Sequence, residues 1–275
     1  MEHVSIPFDG SIVFFIPGRT RLADMRHALA PYGLAGCAPK ERTDRDALVA
    51  AIRQTHGQKD RIIQSRKQPR RNGVEMVAVE RDPLHNAYTT DFGAKVLSGR
   101  VVTDYGMADR TAIQDVFDQE KPILTAAMVG RTLTNVVESL RGVSLRPGVY
   151  WLPRSVVNDF ERIAQDVENV AIERDTRIVR VRFPLDETTA RVVLEALQEE
   201  VQKEVTEIVT DLKVKRLDME GITKRRERAE AVAEKVQEYA GLLGKSLDGL
   251  KNLTELAKNL ACAAALQDQD NYVYA

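Results

Sequence analysis

Cysteine is scarce in this chain: Cys37 and Cys262 are the two thiols in 275 residues, and they stand far apart. A disulfide framework is therefore excluded, and a reducing cytoplasm is the expected compartment. Long apolar runs are missing as well. The stretch Ser11-Ile12-Val13-Phe14-Phe15-Ile16 stops at Pro17-Gly18, too short for a signal core or a membrane span. No membrane association is expected. The four histidines, His3, His27, His56 and His85, are scattered and show no ligand spacing with the cysteines, so neither a metal nor a cofactor is expected. Gly244-Lys245-Ser246 ends like a phosphate-binding loop, but Tyr239 stands where the first glycine is required, and the segment sits inside a helical pattern. No nucleophile signature is present. Glu75 and Glu80, with Lys59 or Lys95 nearby, are too few carboxylates to converge on the cation of a metal-dependent nuclease.

Charge of one sign is also lacking overall: the net charge is −1, with few aromatics (5%) and many charged residues (29%). That excludes a global polycation and suits a helix-rich chain. The distribution is uneven. Residues 1–71 hold 13 Lys/Arg against 7 Asp/Glu, and residues 186–275 hold 13 against 18, giving a basic head and an acidic tail segment.

What is present begins with that tail. Leu194, Leu197, Val201, Val205, Ile208 and Leu212 recur at the helical period, opposite a face of glutamates. Gly221 suits a left-handed position after a helix end, and Thr223 suits the next N-cap. Beyond it, Ala229, Val232, Val236, Tyr239, Leu243, Ser246, Leu250, Leu253, Ala257 and Leu260 alternate steps of three and four without a slip. This is a heptad seam fit for knobs-into-holes packing. Gly241, Gly244 and Gly249 weaken its middle and mark a kink or a close crossing. The expectation is a coiled-coil-like helical hairpin over 186–265. Val232, Val236, Tyr239, Leu243, Leu250, Leu253 and Leu260 are the candidates for homo-oligomerisation, and packing of the same residues onto their own domain is the alternative.

The body alternates short strands and helices. A strand at 11–16 leads to a helix over 20–30, a Pro/Gly loop, and a second helix capped by Thr43 or Asp44. Arg61-Ile62-Ile63-Gln64 and Val74 to Val79 then flank Asn72-Gly73, a hairpin signal. Helices over 109–119 and 123–140 precede a second hairpin, Val143-Ser144-Leu145 and Val149 to Leu152 around Pro147-Gly148. Helix, turn, helix, hairpin is the element order of a winged helix, and it also arises in other α+β folds. A helix over 155–168 and strands at 170–172 and 178–183 follow. In the last strand Val179, Val181 and Phe183 alternate with Arg180 and Arg182, which reads as one buried and one basic face. The fold class is α+β, divided into a basic α+β segment 1–107, a helix-turn-helix plus hairpin segment 108–185, and a helical assembly segment 186–275.

Arg61, Arg66, Lys67, Arg70 and Arg71 cluster in eleven residues with no acid between the first and last. On a hairpin tip they suit phosphate contact with counterion release, and as a solvated loop they need no role. Tyr150 and Trp151, flanked by Arg141, Arg146 and Arg154, suit base stacking. Because Val149 and Trp151 share a strand face, the tryptophan is expected in the core.

The strand 11–16, the helix pair through Ala47 to Ile52, and Gly148-Val149-Tyr150-Trp151-Leu152-Pro153 before charged helices together resemble a loosely defined family of uncharacterised proteins of bacteria, phages and mobile elements. The resemblance implies a phage-, plasmid- or defence-linked setting and supplies no activity. Three readings stand. The first is a non-enzymatic nucleic-acid-associated protein that oligomerises through its C-terminal helices. The second is an adaptor or accessory subunit of a larger machine, and the third an enzyme with an unrecognised site.

Overall fold

The computed structural model describes the backbone of residues 9–56, 61–67, 74–82, 87–105, 110–214, 217–244 and 247–273, and the side chains of 9–55, 93–103, 110–213, 217–244 and 247–265. In chain order the elements are β1 (Gly10–Ile16), β2 (Thr20–Arg21), α1 (Leu22–Leu29), α2 (Asp44–His56), β3 (Arg61–Lys67) and β4 (Val74–Asp82). There follow β5 (Ala87–Leu97), β6 (Arg100–Tyr105), α3 (Arg110–Glu120), β7 (Ile123–Leu124), α4 (Ala126–Ser139), β8 (Val143–Arg146) and β9 (Val149–Pro153). The chain closes with α5 (Arg154–Asn169), β10 (Arg177–Phe183), α6 (Glu187–Val214), α7 (Met219–Leu243) and α8 (Asp248–Val273). These residues group into two interleaved units, one of Met1–Ile16, Leu133–Gln165 and Ile178–Ala275, the other of Pro17–Thr132 and Asp166–Arg177.

The first unit is built on an antiparallel pairing of distant segments. Ile12 stands opposite Trp151 and Val13 opposite Tyr150, and the sheet order is β10-β1-β9-β8. Trp151 and Val143 lie on one sheet face, fully buried against Val193, Leu197 and Val201 of α6 and the inward residues of α7 and α8. Gly10 lies under the indole: a Cβ there would stand 2.1 Å from Trp151 Cζ2.

The C-terminal region is helical, as its periodicity requires, but it is not a two-helix hairpin. Among the described residues it forms three helices, α6 to α8. Asp218, not Thr223, caps α7, its carboxylate accepting from the Gly221 amide at 2.8 Å. Gly221 is thus inside the first turn of α7 and not beyond a helix end. The second break comes at Gly244, whose φ of 59° ends α7 in the left-handed conformation that glycine adopts without cost. The heptad spacing runs in phase from Leu243 to Leu250 across this break, which is why spacing alone conceals it. Of the seam residues, Ala229, Val232, Val236, Tyr239, Leu250 and Ala257 close one core with α6.

In the second unit, α2 and α3 pack on an antiparallel sheet of order β3-β4-β5-β6. Ala47, Leu48, Ala51 and Ile52 meet Ile113, Phe117, Ala94 and Val101 in its core. Of the two expected caps, Thr43 or Asp44, Thr43 takes the position, its hydroxyl accepting from the Asp46 amide. Glu120, at the end of α3, is buried and accepts from Arg19 at 2.5 Å, Arg42 at 2.8 Å and Gln54 at 3.0 Å. Two guanidinium groups offset the desolvation of that one carboxylate. Gly18 approaches Asp175 so closely that a Cβ would stand 1.8 Å from its carboxylate, which accepts from the Arg19 amide.

Three sequence expectations are corrected here. The order α3, α4, β8, β9 is present, but α3 belongs to the core of one unit and the β8–β9 hairpin to the sheet of the other. Strand β9 is paired on its second edge by β1, so 110–153 is no self-standing winged helix. Residues 170–172 form a single bridge, Thr20 to Ala171, before a 3-10 turn at Ile172–Arg174, instead of a strand. On β10 the outer half is exposed on both faces, and its two arginines are tied to α5: Arg180 donates to the Glu161 carbonyl, and Arg182, 47% exposed, pairs with the Glu161 carboxylate at 2.7 Å. Val181 and Phe183, expected inside, are 41% and 38% exposed.

Candidate functional site

The basic hairpin read from the sequence is the first half of a larger sheet. Arg61, Arg66 and Lys67 lie on β3, an edge strand. The register sets Arg61 opposite Glu80 and Arg66 opposite Glu75. Arg70, Arg71 and the Asn72-Gly73 turn lie outside the described residues. Sequence reading missed β5 and β6. They are joined by the two-residue turn Ser98-Gly99, with φ of 50° and 77° at its two positions, the conformation of a tight hairpin turn. The Ser-Gly dipeptide was the available signal.

The β5–β6 ladder has two distinguishable faces. Ala94 stands opposite Thr103 and Val96 opposite Val101, and Ala94, Val96 and Val101 pack toward α2 and α3. Lys95 opposite Val102 and Leu97 opposite Arg100 therefore occupy the other face. Leu97 is 46% exposed, and Arg100 is exposed beside it. The sheet segment 61–105 carries eight basic against five acidic residues, in a chain of net charge −1.

The other sequence candidates belong to the first unit. Arg146 is exposed at the end of β8. Tyr150 is turned inward: its ring stacks on Phe15 at 5.3 Å and its hydroxyl bonds Thr134 at 2.8 Å. Trp151 is buried, and among the described residues its indole N–H has no hydrogen-bond partner. Neither ring is presented for stacking on bases. Of the seam residues, Val232, Val236, Tyr239 and Leu250 are buried in the chain's own core, while Leu243, Leu253 and Leu260 are half-buried.

The first unit also holds a charged cleft of about 870 Å³ lined from α4, β8, α6 and α7. Lys235, itself buried, donates to Glu200 at 2.5 Å and to the Gly142 carbonyl at 2.6 Å. Arg228 bridges Glu204 and Glu207, and Arg141 pairs with Glu234 and Glu238. Partial burial, with the Glu200 carboxylate adding to it, raises the Glu138 carboxyl above its ordinary range. Burial likewise holds the Tyr239 hydroxyl well above its ordinary range, and that hydroxyl donates to the Arg141 carbonyl. These ion pairs are closed on one another, an arrangement that ties helices together. Among the described residues no three His, Cys, Asp or Glu side chains are grouped to hold a metal ion, and no helix is long and apolar enough to cross a membrane.

A helix-backed antiparallel sheet in one unit and a sheet closed by charged helices in the other define a helix-rich α+β protein. The chain belongs to DUF6744, a family of unknown function, whose match runs over residues 17–269. No curated protein and no solved structure matches it.

Proposed function

We propose that this chain is a non-enzymatic nucleic-acid-associated protein of the cytoplasm, in the phage, plasmid or defence setting that the Gly148–Pro153 resemblance implies. The observation that supports the reading is the sheet of the second unit. Its edge strand β3 carries Arg61, Arg66 and Lys67, and Lys95 and Arg100 stand at the β5–β6 positions that alternate with those packed on α2 and α3. Phosphate contact needs cations on an accessible surface and no assembled chemical group. Self-association remains part of the proposal, with exposed Leu256 and half-buried Leu253 and Leu260 as the available surface of α8.

The test is binding of the full chain to labelled homopolymeric oligonucleotides at low salt, followed by fluorescence anisotropy. Saturable binding that weakens with salt supports the reading. A flat titration at low salt moves the assignment to the adaptor reading, for which the exposed Val181 and Phe183 of edge strand β10 are the specific observation.

A further inference from the structure

We draw no further inference here: the strongest candidate, the apolar surface patch of Phe14 and Ile16 on β1 and Val181 and Phe183 on the neighbouring edge strand β10, carries nothing, because nothing in the structure shows what covers it.

Discussion

The Lys235 ammonium on α7 sits 2.5 Å from the Glu200 carboxylate on α6, and it donates at 2.6 Å to the Gly142 carbonyl just before β8. Three elements are joined at one buried nitrogen. Removing the ammonium leaves the Gly142 carbonyl without that donor and the Glu200 carboxylate with the Ser144 amide in place of a cation. Lys235→Met is expected to cost about 3 kcal/mol in urea denaturation. Lys235→Met with Glu200→Leu should cost less than the two single losses together, because the second change removes the stranded charge. Strict additivity would show that the two groups are not coupled.

Glu138, on the rim of the charged cleft, gives a pH dependence whose sign follows from its surroundings. Its folded pKa is raised, first by burial and then by Glu200, so the native state holds this proton more tightly than the unfolded chain does. Its contribution to stability is present at acid pH and is lost as pH rises through the folded value. Glu138→Gln should therefore gain on the parent progressively from about pH 4 to neutrality. A difference that stays constant over this window would count against the assignment.

Gly10 is required by the ring above it. An added Cβ would meet Trp151 Cζ2 at 2.1 Å and the Leu152 carbonyl oxygen at 2.6 Å. Gly10→Ala should destabilise the first unit by about 1–3 kcal/mol. Trp151 is the sole tryptophan, so its emission reports the change directly, with a red shift on displacement. A variant as stable as the parent with unaltered emission would place Gly10 elsewhere.

Part of the heptad seam, Leu250 among it, is buried in the chain's own core. Leu250 is 5% exposed and Leu256 51%. Leu250→Glu should cost roughly 4 kcal/mol and leave the mass from light scattering unchanged wherever the protein is folded. Leu256→Glu should be nearly neutral for stability. A fall in mass in folded Leu250→Glu would mean that the seam holds chains together.

Legibility in the sequence followed the strength of local periodicity. The strand at 11–16, the start of α2 at Thr43 or Asp44, the β8–β9 hairpin and the helical tail all rest on short-range patterns and are readable. β5 was not readable: Ala87 to Leu97 mixes Thr, Asp, Gly and Lys, and register shifts at Ala78/Val79 and Gly93/Ala94 break the alternation. The split of the seam at Gly244 was hidden because the spacing stays in phase across it. The expected buried face of β10 is not formed in its outer half because alternation gives two faces and not whether either is covered; Val181 and Phe183 stay exposed while Arg182 pairs with Glu161. The Lys95–Arg100 face depends on register between strands, and register has no local signature here. The clustered arginines at 61–71 were visible at once, but their acidic cross-strand neighbours were not.

The measurement that bears most directly on the account is the salt dependence of oligonucleotide binding by the parent and by a variant with Arg66, Lys67, Arg70 and Arg71 replaced by Ala. The account expects the logarithm of the binding constant to fall linearly with the logarithm of salt concentration, with little dependence on sequence. The variant should bind more weakly, and its slope should be shallower by up to about 0.7 for each lost contact with a single strand. A parent that binds no oligonucleotide at low salt, or a variant with the same slope and affinity, would contradict it.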